Sequence, residues 1–532
     1  RWQRARASEG SLHEIEPLLL ALMVAVAGLS VLARLVRVPY PILLVIGGLV
    51  LGFAPGMPDV ELPPELVLVV FLPPLLYWAG FFSSPRDLRA DARAISLSAV
   101  GLVLATTVAV AVVAHAMVEG MGWPAAFALG AIVSPTDPLA ATAIGRRLGV
   151  PRRIITLLEG ESLVNDATAL VAYRIAVAAA VSGGFVVWQA GLRFVVTAAG
   201  GVAVGLLAGW LVAELRRRLD DPVVEIVVSV FTGYAAYLPA ELLGVSGVLA
   251  AVTAGIYVGW RAPELASPST RLLGFSFWEV LVYLANAVLF ILVGLQLQPI
   301  LAELDGTAVA VLIGQGVLVS AVVIGVRLGW SFSVPYLIRA IDRRPSQVMR
   351  RAGARERLVV GWSGMRGAVS LAAALALPLD FPLRNLILFL TFAVILATLV
   401  VQGLTLPTLI RRLRVQGDDA EEREELRARL AAANAALERL DELAGEDWTR
   451  DDTVERLHGL YDFRRRRLKV RAGKIEDDGA EDRSLAYQRL VRELLQAQRG
   501  AIVRLRNQGV ISNDVMHRIE RELDLEDTRL EI

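Results

Sequence analysis

Between residues 15 and 410 the chain repeats one theme, an apolar stretch, a short polar or arginine-bearing loop, and another apolar stretch. Thirteen such stretches can be drawn, at about 15–36, 39–53, 64–82, 95–118, 124–145, 157–182, 189–215, 222–242, 246–260, 275–300, 308–334, 357–379 and 384–410. Roughly 20 apolar residues make one membrane crossing. With no water at that depth to satisfy the backbone, a helix is the form open to each segment. The expected fold is an all-α polytopic membrane protein of about 13 transmembrane helices.

The charges are divided to match. Of 54 Lys+Arg and 53 Asp+Glu, residues 411–532 hold 25 and 28, and the 410 residues before them 29 and 25. Three parts are expected: an extracytoplasmic tail at 1–14, a transmembrane domain at 15–410 and a cytoplasmic helical domain at 411–532. Within the last, 419–446 is rich in Glu, Arg, Ala and Leu and reads as helix, and 464–467 is an arginine run. No cleavable signal peptide is expected, since the first apolar run is long enough to span.

Several function classes drop out. There is no cysteine, and the four histidines at 13, 115, 458 and 517 never fall at metal-ligand spacing. The net charge of +1 gives no reason to expect nucleic acid as a partner. No enzyme chemistry and no cofactor are expected. Orientation follows the arginines, which accumulate on the cytoplasmic side. The loops at 34–37, 86–93, 146–153, 216–218, 261–271 and 339–357 hold 21 Arg, against Arg193 and Arg384 in the alternate loops. The N-terminus is therefore expected outside and the C-terminal domain in the cytoplasm.

Charged groups at membrane depth are costly and mark function. One span contains Ser134-Pro-Thr-Asp137-Pro138, and the next Glu159-Gly-Glu161-Ser162-Leu-Val-Asn165-Asp166. Two prolines around Thr136 and Asp137 remove backbone donors and disfavour helical geometry before each ring. The span should break there and free carbonyls that can coordinate a small cation. In the next span Ser162 and Asp166 share one helical face, and Glu161 and Asn165 another. Asp166, Ser162 and Asp137 then suit a hard monovalent cation, whereas Glu161 needs a buried cationic partner.

Arg174, Arg327 and Arg366 are the intramembrane candidates, because residues 1–410 contain no lysine. Arg327 is the expected partner. Arg366 is expected to neutralise helix ends freed in its own glycine-broken span, Gly361-Trp-Ser-Gly364-Met-Arg366-Gly367. The fifth and twelfth spans both break and run in opposite directions, as an inverted repeat of spans 4–6 and 11–13 requires. Glu159, Glu279 and His115 read as interface or core residues.

Ser-Pro-Thr-Asp-Pro at 134–138, Glu-Ser-Leu-Val-Asn-Asp at 161–166 and Gly-Met-Arg-Gly-Ala-Val-Ser at 364–370 resemble the monovalent cation/proton antiporters. Among these, the bacterial NhaP-like sodium/proton exchangers are the nearest group. The resemblance covers about residues 15–410. It implies a homodimer in the bacterial inner membrane and a mobile core domain moving against a dimerisation domain. It also implies Asp166 as the ion- and proton-binding carboxylate, with Asp137, Ser162 and the Thr136 backbone oxygen as supporting Na⁺ ligands. Asn165 stands where electrogenic relatives carry a second Asp, and Glu161 and Arg327 match the family's buried ion pair. The chain departs from several relatives at Trp78, where they place an acidic residue.

With one carboxylate at the site, Na⁺ (or Li⁺ or K⁺) should exchange for H⁺ one for one and electroneutrally. A K⁺/H⁺ antiporter on the same scaffold is the alternative, and an ion channel or membrane sensor a more distant one. Against a channel, there is no carbonyl-filter repeat.

Overall fold

The computed structural model describes residues 20–55, 66–182, 187–302, 304, 308–341, 353–415, 417, 420–476 and 479–530. Two compact units, Arg1–Gly417 and Asp418–Ile532, divide the chain. Every regular element among the described residues is helical.

The first unit contains α1 (Leu20–Val36), α2 (Tyr40–Gly52), α3 (Leu68–Phe81) and α4 (Ala92–Met117). Then come α5 (Trp123–Val133), α6 (Leu139–Arg147), α7 (Arg152–Ser182), α8 (Val187–Arg216), α9 (Pro222–Leu242), α10 (Gly247–Leu265) and α11 (Pro268–Leu295). Last are α12 (Val309–Ile341), α13 (Ala354–Trp362), α14 (Ala368–Leu375) and α15 (Arg384–Leu413). Seven of these helices are long and apolar enough to cross a membrane by length and composition, namely α4, α7, α8, α9, α11, α12 and α15. The other six expected spans fall on α1, α2, α3 and α10 and on two interrupted pairs, α5/α6 and α13/α14.

Local chemistry sets where the helices start. Asp221, Ser246 and Ser267 each cap a helix by accepting backbone N–H groups of the first turn, at 2.8 Å from Val223, 3.2 Å from Leu249 and 3.1 Å from Thr270. Pro222 and Pro268 follow their caps directly, where a missing N–H costs nothing. The interruptions have different causes. Residues 134–138 leave the helix at Pro135 and Pro138, while 363–367 leave it around Gly364 and Gly367.

The helices pack in two groups. In one, α4, α5, α7 and α12–α15 lie against each other; in the other, α3 and α8–α11 do, with α2 along α11. Contacts between the groups are sparser. One of them is an apolar seam in which Leu163 and Ala167 of α7 meet Leu72 and Leu76 of α3 and Val248, Ala251 and Val252 of α10. Each half of the first group reads long helix, broken helix, long helix.

The second unit comprises α16 (Ala420–Leu443), α17 (Asp451–Arg471), α18 (Ala480–Asn507) and α19 (Asn513–Leu530). Its apolar centres are small. Leu430, Ala433 and Leu468 form one, and Leu495, Ile502, Met516 and Leu523 the other.

Candidate functional site

The two interruptions meet. The Asp137 N–H donates to the Met365 carbonyl at 2.8 Å, so extended backbone from one broken helix runs against extended backbone from the other. The Arg366 guanidinium reaches over the same crossing to donate from Nη1 to the Ser134 carbonyl. This carbonyl, freed at the end of α5, belongs to the opposite broken helix rather than to the span of Arg366 itself. The expectation of neutralisation within its own span is thereby corrected, because the crossing brings the carbonyl that this guanidinium bonds from the other broken helix.

α7 passes beside the crossing and presents two faces to it. On one face Glu161 accepts from Thr136 Oγ1 at 3.2 Å, and Asn165 Nδ2 donates to the same Thr136 hydroxyl at 2.8 Å. On the other, Ser162 Oγ donates to the Thr136 backbone carbonyl at 2.9 Å. Thr136 is therefore held at both its polar oxygens by three residues from two successive turns of α7. Asp137 Oδ1 accepts the Leu139 N–H at 2.9 Å and caps the start of α6.

Asp166 is different. Its side chain is buried, at 8% exposure, and no group among the described residues donates a hydrogen bond to its carboxylate. A buried carboxylate without donors is unfavourable unless a cation or a proton neutralises it.

Two guanidiniums lie in the same interior. Arg327 donates from Nη1 and Nη2 to the two oxygens of Glu161, and both side chains are almost fully buried. Arg366, at 0% exposure, keeps Nε and Nη2 without an acceptor among the described residues. Two glycines make room for this density of charge. A Cβ at Gly364 would collide with the Arg327 side chain, and one at Gly367 with the Asp137 carboxylate. Counted together, Glu161, Asp137 and Asp166 against Arg327 and Arg366 leave one uncompensated negative charge at the crossing.

The remaining candidates lie elsewhere. Arg174 pairs with Glu241 of α9 at 2.7 Å, half exposed and away from Glu161. Glu159 pairs with Arg146 at 2.7 Å near the surface, and Glu279 and His115 are exposed, so neither of the latter is a core residue. Trp78 stacks on Trp278 and Phe81 with centroids 4.9 and 5.6 Å away, in an aromatic cluster of the second helix group. One residue escaped the sequence reading. Thr398 on α15, fully buried, accepts the Arg366 N–H at 3.0 Å. Among the described residues no group of three or more His, Cys, Asp or Glu could hold a metal ion.

The family model for the transmembrane sodium/hydrogen exchanger matches residues 19–412, a stretch that contains the whole crossing. The chain belongs to the sodium/hydrogen exchanger family. This sodium/hydrogen exchanger is 38% identical over 524 residues to an uncharacterised Na⁺/H⁺ exchanger of Mycobacterium bovis, covering 96% of this chain and 95% of that one. It is 34% identical over 415 residues to a Bacillus pumilus protein named a sodium, potassium, lithium and rubidium/H⁺ antiporter, covering 74% of this chain and 61% of that one. It shares its fold with the sodium proton antiporter MjNhaP1 of Methanocaldococcus jannaschii, at a TM-score of 0.58 and 19% identity, over 75% of this chain and 99% of that one. The exchanger is thus a multi-pass membrane transporter of the Na⁺/H⁺ antiporter family, with monovalent cations and protons as its substrates, and not an enzyme.

Proposed function

We propose that the chain exchanges Na⁺ for H⁺ one for one across the bacterial cell membrane, with Asp166 as the shared site. The observation that carries this reading is the buried Asp166 carboxylate, to which no described residue donates, one turn along α7 from the Ser162 hydroxyl that bonds the freed Thr136 carbonyl. Na⁺ would be held by Asp166 and Asp137, by the Thr136 carbonyl and by the Ser162 hydroxyl, all hard oxygen ligands. Asn165 holds Thr136 in place, and Glu161, Arg327 and Arg366 fix the charge balance around it. A proton on Asp166 replaces the cation on the return.

The transport cycle needs the first helix group to move against the second. The apolar seam between Leu163 and Ala167 on one side and Leu72, Leu76 and Val252 on the other supports that reading, since it offers no hydrogen bonds to break. The exchanger domain of about 13 spans at 15–410 would lie with its N-terminus outside, residues 411–532 would form a cytoplasmic helical domain, and two copies would make the working dimer. A second reading, exchange of K⁺ for H⁺, is favoured by the name of the Bacillus pumilus relative.

The test is flux in proteoliposomes. A Na⁺ gradient should drive opposed proton movement, and Asp166→Asn should abolish it while the purified variant stays monodisperse with an unchanged melting temperature. An Asp166→Asn protein that still exchanged at the normal rate would overturn the assignment. Flux with K⁺ in place of Na⁺ separates the two cation readings.

A further inference from the structure

Thr398 lies on a π-helical turn, Thr398–Gln402, set into the long helix α15. Such turns insert an extra residue and concentrate at functional sites. The Thr398 hydroxyl donates backward to the Val394 carbonyl at 2.8 Å, with Ile395 at 3.1 Å, so its single proton is committed within its own helix. Its lone pairs then face outward, and the Arg366 N–H donates to one of them. This is a side chain of α15 holding the backbone of the α13/α14 interruption.

That backbone determines where Asp137 sits. One residue before Arg366, the Met365 carbonyl accepts the Asp137 N–H. One residue after it, Gly367 abuts the Asp137 carboxylate so closely that a Cβ has no room. Three successive residues, Met365, Arg366 and Gly367, thus link Thr398 to both the backbone and the side chain of Asp137. Thr398, Met365, Arg366 and Gly367 are all buried, so the Thr398 end of this link is shielded from water.

We infer that Thr398 is a positioning residue for cation binding: through the 365–367 backbone it fixes how far the Asp137 carboxylate reaches toward the Asp166 site. The inference rests on the proposed cation site and adds to it a residue that touches neither ion nor proton. A hydroxyl is needed and its methyl is not. Valine has the same shape as threonine and cannot accept the bond, whereas serine can.

The experiment compares Thr398→Val and Thr398→Ser in full-length protein reconstituted in proteoliposomes, reading KM and kcat for Na⁺-driven proton flux and the melting temperature of each variant. Thr398→Val should raise KM for Na⁺ about threefold to tenfold, the range one hydrogen bond spans, with a smaller change in kcat. Thr398→Ser should stay within about twofold of the parent. Where Thr398→Val does not fold, Thr398→Ala, which also lacks the acceptor, takes its place. A Val or Ala variant with the parent's KM, or a Ser variant as impaired as Val, overturns the inference. Asp166→Asn is measured alongside. If that variant still exchanges, the site assignment itself fails; if it is silent while Thr398→Val keeps the parent KM, only the role of Thr398 fails.

Discussion

Arg327 of α12 spans the interior to donate both terminal nitrogens to the Glu161 carboxylate of α7, with both side chains shielded from solvent. Removing one partner of a buried pair strands the other charge, at a cost of roughly 3–5 kcal/mol. Glu161→Ala and Arg327→Ala are therefore expected to lower the melting temperature and the yield more than they weaken cation affinity. Gly364→Ala should mimic Arg327→Ala, because the added methyl takes the space of the Arg327 side chain. Thermal unfolding of the three purified variants in detergent is the check, and unchanged melting temperatures would separate this pair from stability.

Much of this architecture could be read from the residues, and the limits have physical causes. Apolar length locates the helices, because a run of about 20 apolar residues fits a spanning helix and is about twice what a barrel strand needs. Pro135 and Pro138 locate the first break, because two rings within four residues cannot sit in one helix. Helical angle separates the Glu161/Asn165 face from the Ser162/Asp166 face, and the hydrogen bonds to Thr136 divide along the same line. What angle and composition do not carry is contact between distant segments. Ser134 and Arg366 are 232 residues apart, and only the crossing makes one the acceptor of the other. Thr398 sits in the ordinary apolar run Ala-Thr-Leu-Val-Val, and the π-helical turn that aims its hydroxyl has no sequence signature there.

The Arg174–Glu241 pair offers a handle on motion, because it ties α7 of one helix group to α9 of the other. Partly exposed pairs of this kind are worth under about 1 kcal/mol, so replacing both residues should leave the fold intact. The natural chain has no cysteine, which makes an Arg174→Cys/Glu241→Cys protein free of background thiols. Bridging the two thiols with a short reducible cross-linker should stop exchange, and reduction should restore it. Unimpaired flux in a fully cross-linked sample would show that the two groups need not slide at this point.

The second unit has its own pH dependence. Arg471 of α17 donates to Glu481 of α18, with Nε at 3.2 Å from Oε2, and this hydrogen bond holds the Glu481 carboxyl below its ordinary value. A depressed carboxyl stabilises the folded form above its unfolded pKa of about 4.3 and loses that contribution as pH falls through the lower folded value. Solvent screening limits the effect to under about 1 kcal/mol. Amide protection factors across residues 451–476 and 480–507, which divide out the intrinsic slowing of exchange in acid, should fall between about pH 5 and pH 3 in the parent protein. Glu481→Gln should show faster exchange already at neutral pH and a flatter pH dependence.

The charge balance at the crossing makes the stoichiometry testable. Three carboxylates, Glu161, Asp137 and Asp166, face two guanidiniums, Arg327 and Arg366, and arginine does not release its proton. Glu161 is committed to Arg327, and Asn165, whose amide does not titrate, is tied to the Thr136 hydroxyl. One negative charge is left, and one Na⁺ or one H⁺ cancels it. Only the neutral form can be moved through a low-dielectric interior cheaply, so the loaded site carries the same net charge in both directions. Exchange should then be electroneutral. In the proposed mechanism proton and cation compete for one carboxylate, so the exchange rate should be bell-shaped in pH, falling in acid as protons exclude Na⁺ and in alkali as protons become scarce. Acidification should raise the apparent KM for Na⁺ without lowering the maximal rate at saturating Na⁺. Proteoliposomes clamped at opposite membrane potentials give the decisive reading: equal initial rates are expected at both, and a rate that follows the voltage, or a current on adding Na⁺, means that a further charge moves with each cycle.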